Sequence, residues 1–359
     1  MIKIFRTELY AITLLLFISC NDGIQLEPET YRNPIISGFA PDPSICRVGD
    51  DFYLINSTFE YFPGIPVYHS RDLVNWELIA NALHSVNQNV AMNSINSSAG
   101  IHAPTIRYHK GLFYITTTNN LNGKMINFII TAEDPKGPWS KAYILKDVPG
   151  IDPSLFFDDN GKVWYTGSHV PPDPEFDGQS EIWMQELDLK QMQLVGEKYF
   201  LTRGFSGGTW AEGPHIYKYG KYYYLMIAEG GTLHNHAVTI SVSKTITGPY
   251  IANARNPILT HRHLSLNHPI IAVGHGDLVQ TKENEWYMVA LGFRPIDKKY
   301  KNLGRETFLI PVVWETEPYW WKDEKITRPV CSPKTGKVES EYFVPFPGTK
   351  QVNINKFYD

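Results

Sequence analysis

Five stretches of this chain are written on one plan, and a chain that repeats itself fivefold has few folds open to it. Each stretch places a polar or acidic residue near a Pro or Gly, then a short alternating strand, a turn and an aromatic strand. They are PDPSICRVGDDFYLINS from Pro41, HAPTIRYHKGLFYITTT from His102, IDPSLFFDDNGKVWYTGS from Ile151, EGPHIYKYGKYYYLMIA from Glu212 and HGDLVQTKENEWYMVAL from His275. The aromatic strands centre near Phe52, Phe113, Val163, Tyr223 and Trp286, so the spacing is 50 to 63 residues. That is room for a four-stranded sheet in each repeat. Tight turns at Gly49-Asp50-Asp51, Lys110-Gly111, Asn160-Gly161 and Gly220-Lys221 join runs of period-two alternation, the mark of hairpins. No long segment of helical period lies between repeats, which argues against a parallel sheet built from βαβ units. The predicted fold is all-β, a five-bladed β-propeller. A two-sheet sandwich is the alternative, but it leaves the fivefold repeat unexplained.

Composition narrows the partners. The 359 residues carry 33 Lys and Arg against 37 Asp and Glu, a net charge of −4, with no surplus for gripping a phosphate backbone. Nucleic acid is therefore not an expected partner. At 43% hydrophobic and 13% aromatic residues, the chain can bury a large core. A length prior suggests about two domains, although an all-β architecture can absorb this length as one.

The N-terminus reads as an address. Lys3 and Arg6 precede an apolar run from Leu9 to Ile18, too short to span a bilayer core of roughly 30 Å as a helix. The pattern is that of a signal peptide over residues 1–19. Ser19 stands directly before Cys20, the arrangement of a bacterial lipoprotein processing site in which Cys20 becomes the lipidated N-terminus. An ordinary cleaved signal with an incidental cysteine is the alternative. Residues 20–32 then form a polar tether, and the protein is expected to be exported, to the periplasm or outer membrane, touching the membrane only through its anchor. Cys46 and Cys331 remain; an oxidising compartment permits a bridge, and two buried free thiols are the alternative.

In a propeller the innermost strands begin near the axis, so equivalent starts converge on one funnel. With the repeats aligned on Pro43, Pro104, Pro153, Pro214 and Asp277, Asp42 and Asp152 stand one residue earlier, and His102, Glu212 and His275 two residues earlier. Three carboxylates and two histidines then share an axial mouth. Singly, an Asp-Pro pair is a turn initiator and Glu212 a solvated turn acid; three at matching repeat positions argue for a site. Glycosidic cleavage needs one carboxyl to protonate the leaving oxygen and another to activate water. Asp42 and Glu212, two blades apart, suit the inverting separation of roughly 6.5–9.5 Å. The neighbouring charge of Asp152 is expected to raise Glu212 and keep it protonated. The expected roles are Asp42 as general base, Glu212 as general acid and Asp152 as modulator and positioner.

The segments FAPDPSICR, HAPTIRYHKGLFYI, GIDPSLFFDDNGKV, TWAEGPHIYKYGKYYYLMIAEGGT, VGHGDLVQ and LGRETFLIPV together resemble glycoside hydrolase family 43. The resemblance is to its β-xylosidase branch, which includes α-L-arabinofuranosidases, and runs from about Asn33 to Pro347. It implies a five-bladed propeller and hydrolysis with inversion, and lays the base, modulator and acid on Asp42, Asp152 and Glu212. It places a substrate-contacting arginine at Arg305, for which an ordinary ion pair with Glu306 or Glu315 is the alternative. The family's axial histidine falls on His275, which in some members holds a cation or its water; a satisfied core histidine is the alternative. No cofactor is required, and a structural calcium ion at the axis is the one candidate.

The sugar pocket is expected to be walled by Phe59, Ile151 and Trp210, with Thr232 as a polar contact. His102 stands where the family commonly has tryptophan, and Ile151 where it often has phenylalanine; both reshape the pocket. The histidines at His234–His236 and His261–His268 have no zinc-finger or helical spacing and read as a polar loop at the pocket rim. Residues 33–335 are assigned to the propeller. Residues 336–359 read as a connector to a β-sandwich that family members usually carry and this chain lacks. The expected activity is removal of terminal β-D-xylosyl or α-L-arabinofuranosyl residues from plant cell-wall oligosaccharides. An endo-acting arabinanase and a non-catalytic glycan-binding lipoprotein are the alternatives.

Overall fold

The computed structural model describes residues 29–205, 209–318 and 325–352. The signal segment and Cys20 lie outside the described residues. Five antiparallel sheets surround one axis, the expected five-bladed propeller, and the only helical element among the described residues is a single 3-10 turn at Val86–Gln88.

The blades are built from the hairpins the repeats announce. Blade one orders Ser44–Val48, Asp51–Ile55, Gly64–Ser70 and Glu77–Leu83. The inner strands of the other blades are Thr105–His109, Ile151–Phe157, Glu212–Tyr219 and Ile271–Gln280. Each pairs with the aromatic strand that follows it. In blade two His109 faces Leu112 across Lys110 and Gly111, whose φ angles of 49° and 86° are both left-handed. That is the two-residue turn whose twist matches the strands it joins.

Both faces of each blade are covered, so the core is distributed. One apolar cluster fills each of the five gaps between neighbouring blades: Val67 and Phe128 between one and two, Tyr114 and Trp183 between two and three. Met184 and Leu225 meet between three and four, Met226 and Phe308 between four and five, Leu54 and Leu309 between five and one. Strands covered on both sides lose the clean alternation of a half-exposed sheet. Tyr222–Glu229 is buried at seven of its eight positions.

The ring is closed by the segment entering blade one. Ile35 and Ile36 hydrogen-bond Thr307 of blade five, and Ala40 N–H donates to Arg305 O at 2.8 Å. Thr30–Arg32, read from sequence as the end of a tether, forms a two-stranded sheet with Glu341–Phe343 of the presumed connector. Tyr342, Val344 and Phe346 pack with Tyr31 and Phe52 in the cluster between blades five and one. Cys46 and Cys331 are buried free thiols, each pushed up to about 12 by burial first of all. The histidine-rich stretch is not simply a rim loop. His236 and His261 are buried, and His261 Nε2 accepts the Val338 N–H at 2.8 Å, tying the C-terminal segment to the propeller.

Candidate active site

The inner strands do not enter the axis as regular strands. Their registers shift between Ile151 and Ser154, between Glu212 and His215, and twice between Ile271 and Asp277. At these irregularities Asp152 and His275 have φ of 54° and 48° and Gly213 has 56°, and Asp42, just before the regular strand of blade one, has 50°. Left-handed backbone at non-glycine residues is costly and collects at functional sites, and bulges re-aim side chains. In blades one, three and four the left-handed residue directly precedes a proline: Asp42, Asp152 and Gly213. In blade four glycine takes that position, and the carboxyl group moves back one residue to Glu212.

Asp42, Asp152, Glu212 and His275 meet in one buried mouth. Ligand atoms of Asp152, Glu212 and His275 all lie within 4.8 Å of one another. Asp42 Oδ1 accepts from Arg305 Nη1 at 3.0 Å and lies 3.8 Å from His275 Nδ1, while Oδ2 accepts from Ser57 Oγ at 2.5 Å. Burial pushes the Asp42 carboxyl up, but Arg305, His275 and the Ser57 hydroxyl outweigh it and hold it below its ordinary value. Arg305 therefore serves Asp42. Glu306 is taken by Arg294 at 2.7 and 2.8 Å, and Glu315 by Arg255 at 3.5 Å, which removes both alternative ion pairs.

Glu212 goes the other way. Burial first and then the charge of Asp42 raise it to about 7, against the opposing pull of Arg305. Asp152 rises well above its ordinary value through burial, then through Glu212 and Asp42, although Oδ2 accepts the Gly213 N–H at 3.2 Å. Asp152 and Glu212 are thus two buried carboxyls whose charges repel, each resisting ionisation beside Asp42, and the lift of Glu212 expected from Asp152 is one side of that repulsion.

The same geometry bears on calcium at this point. Asp152, Glu212 and His275 could offer a cation two carboxylates and one imidazole, but a cation on Glu212 would take the place of the proton the acid must carry, so Glu212 does not serve as ligand and acid at once. The His275 ring is buried and lies against Gly213: a Cβ there would come within 3.0 Å of its Cε1.

The wall residues sort by depth. Phe59 (φ 48°) is bridged to Ile101, carries the Arg305 guanidinium over its ring at 5.0 Å and has the His102 ring at 5.4 Å. Asn120 Nδ2 donates to His102 Nε2 at 3.3 Å, and burial lowers His102, so the ring is a neutral wall. Ile151 pairs with Ser168 immediately before Asp152. Trp210, 42% exposed, lies against Gly178 and Gly231: a Cβ would come within 2.8 Å of its ring at the first and 3.0 Å at the second. Thr232 is exposed on the loop beyond Gly231.

Sequence reasoning missed Ser57 and the buried His236, whose ring lies 2.4 Å from where a Gly274 Cβ would stand. It also gave no role to Asp277, although that residue occupies the aligned proline position of blade five. The offset itself was the available signal.

The model for glycosyl hydrolases family 43 matches residues 31–318. The chain is 48% identical over 320 residues to a xylosidase/arabinosidase of Butyrivibrio fibrisolvens, covering 88% of this chain and 59% of that protein. It is 44% identical over 327 residues to the non-reducing end alpha-L-arabinofuranosidase BoGH43B of Bacteroides ovatus, covering 90% and 57%. Among solved structures, xylan beta-1,4-xylosidase from Bacillus halodurans matches at a TM-score of 0.80 and 36% identity, covering 90% of this chain and 60% of that one. The chain thus spans under two thirds of the length of these three proteins.

Proposed function

The chain belongs to glycosyl hydrolases family 43, and from that premise we propose that it is an inverting exo-glycosidase. Its substrates are terminal β-D-xylosyl or α-L-arabinofuranosyl residues of xylan-derived oligosaccharides, and the two-carboxyl chemistry requires no cofactor. The names of its relatives support the sugars; the opposed charge states of Asp42 and Glu212 in one buried mouth carry the mechanism. Asp42, held ionised by Arg305, takes a proton from water as that water attacks the anomeric carbon. Glu212 delivers its proton to the departing glycosidic oxygen. Asp152 accepts the Gly213 N–H and so fixes the backbone beside the acid. Arg305, stacked on Phe59, orients the base, and its remaining N–H groups are the donors that would grip a sugar hydroxyl.

The test is to incubate the purified protein with aryl β-xyloside, aryl α-L-arabinofuranoside and xylo-oligosaccharides, and to follow the product anomer by NMR. Hydrolysis with inversion is expected. Binding without hydrolysis would sink the enzyme reading, and a retained anomer would sink Asp42 as base.

Export and lipid anchoring at Cys20 are part of the same proposal, supported by the basic start, the apolar run and Ser19-Cys20. No helix among the described residues is long and apolar enough to cross a membrane. Metabolic labelling with a radioactive fatty acid should mark the wild type and not Cys20→Ala; equal labelling would refute the anchor.

A further inference from the structure

Beneath the carboxylates lies a second buried cluster that the chemistry above does not use. Arg107 and Asp277 form a forked ion pair, Nη1 to Oδ2 at 2.8 Å and Nη2 to Oδ1 at 3.1 Å. The Asp277 side chain is fully buried and that of Arg107 is 17% exposed. Asp277 also accepts from Tyr217 Oη at 2.6 Å, Ser44 Oγ at 2.7 Å and Ile45 N–H at 3.1 Å. Arg107 Nη2 donates to His215 Nδ1 at 3.0 Å, which puts the proton of this neutral ring on Nε2. The Ile106 N–H donates to Ser44 Oγ at 3.1 Å and the Leu278 N–H to Tyr217 Oη at 2.9 Å.

The placement along the chain is what matters. Ser44 follows Asp42 by two residues, His215 follows Glu212 by three, and Asp277 follows His275 by two. Arg107 comes from blade two, which supplies no carboxylate to the mouth. Blade three is joined separately: Ser154 Oγ, two residues after Asp152, donates to Pro214 O at 2.6 Å. Below the cluster is an opening of about 330 Å³, lined by residues of all five blades including Arg107 and Tyr217. The cluster therefore stands between that opening and the carboxylates.

A buried ion pair is a weak device for stability, since apolar residues of the same volume often serve as well or better. Its forked geometry, however, fixes the relative position of the strands that carry it. We propose that the Arg107–Asp277 pair is a positioning clamp, holding the inner strands of blades one, two, four and five so that Asp42 and Glu212 keep their places across the mouth. The clamp rests on the hydrolase reading above. A displacement of 1 Å at reacting groups costs roughly 100-fold in rate, so small shifts of these strands are enough to be seen.

The test uses the double variant Arg107→Met/Asp277→Leu, which removes both charges together so that neither is left buried unpaired, although Tyr217 Oη, Ser44 Oγ and the Ile45 N–H lose their shared acceptor. It is expected to fold and melt cooperatively, with kcat lower by roughly 10- to 100-fold and KM on aryl glycosides changed by less than about threefold. Its crystal structure is expected to show the Asp42 and Glu212 carboxyls displaced. Arg107→Lys, which keeps the charge without the fork, should fall between the double variant and wild type. A folded double variant with wild-type kcat, or with both carboxyls in their original places, overturns the proposal. Should the double variant not fold, Tyr217→Phe removes one hydroxyl only. Because it leaves the Leu278 N–H without its acceptor, the melting temperature should drop by a few degrees; kcat is expected to fall several-fold in the cooperatively folded protein, and wild-type kcat in it overturns the clamp. Inactive wild-type protein would strike the hydrolase reading, and the crystallographic positions would then judge the clamp on their own.

Discussion

Asp42 and Glu212 share one mouth, and Arg305 hydrogen-bonds only the first of them. The guanidinium 3.0 Å from Asp42 favours its charge, while at Glu212 burial and the charge of Asp42 outweigh the pull of Arg305. The pH dependence follows with a definite sign. The base works above its lowered pKa and the acid works below about 7, so kcat/KM should rise at low pH and fall through neutrality. Arg305 pulls down both groups. In Arg305→Met both limbs of the profile should therefore move to higher pH, beyond any loss of substrate affinity; limbs that stay in place would show that Arg305 does not set them. Glu212→Gln is a second test at this scale. General acid catalysis supplies roughly 10²- to 10⁴-fold, and that loss should appear on xylo-oligosaccharides, whose leaving groups need a proton. Activated aryl glycosides should lose far less, and equal losses on both would count against Glu212 as the acid.

At the level of single strands, the catalytic groups depend on how each inner strand starts. Gly213 and Gly220 share nearly the same backbone, with φ of 56° and 58°, yet a Cβ at Gly213 would come within 3.0 Å of the His275 ring, whereas at Gly220 it meets nothing within 4 Å. Gly220→Ala should cost about 1 kcal/mol of stability from the left-handed backbone alone, read by thermal or denaturant unfolding, at unchanged kcat. Gly213→Ala should carry a similar backbone cost and also lower kcat by displacing His275 from Asp42. Equal rates in the two variants would show that the ring contact is irrelevant to catalysis. The hairpins were legible in sequence because turn residues and alternation are local signals: Lys110-Gly111 and Gly220-Lys221 fall where the structure turns. The alignment of Asp42, Asp152 and Glu212 was legible through their prolines. The bulges were not, because an Asp before Pro looks the same in sequence whether or not its φ is left-handed. Nor was the upward shift of Asp152, which depends on burial and on the charges of Glu212 and Asp42, residues distant in sequence. Nor could sequence separate a substrate-contacting Arg305 from one paired with Glu306 or Glu315, because the cations that take those two, Arg294 and Arg255, lie elsewhere in the chain.

Across the whole molecule, the ring is held shut by pieces that carry almost no local signal. Thr30–Arg32 and Glu341–Phe343 are three-residue strands some 310 positions apart, too short for any periodicity to show, which is why their sequences read as tether and connector. Tyr342 Oη accepts the Glu339 N–H at 2.9 Å and shares a 2.8 Å hydrogen bond with Ser332 Oγ, and its ring is 5.9 Å from that of the fully buried Tyr31. Phe346 lies 6.2 Å from Phe52 in the same cluster. Deleting residues 341–359 strips the half-buried Tyr342 and Phe346 from the gap between blades five and one, each worth roughly half of the 3–5 kcal/mol of a fully buried Phe. At about 2–4 °C per kcal/mol for a chain of this order of size, the melting temperature should fall by roughly 10 °C. The catalytic mouth is assembled from the opposite ends of other segments, so kcat at 25 °C should survive wherever the truncated protein is still folded. A melting temperature equal to that of the full chain would mean that Ile35, Ile36 and Ala40, bonded to Thr307 and Arg305, close the propeller without help from the C-terminal strand. Loss of kcat in a truncated protein that still melts cooperatively would mean that the closure reaches the carboxylates, through Arg305 on blade five.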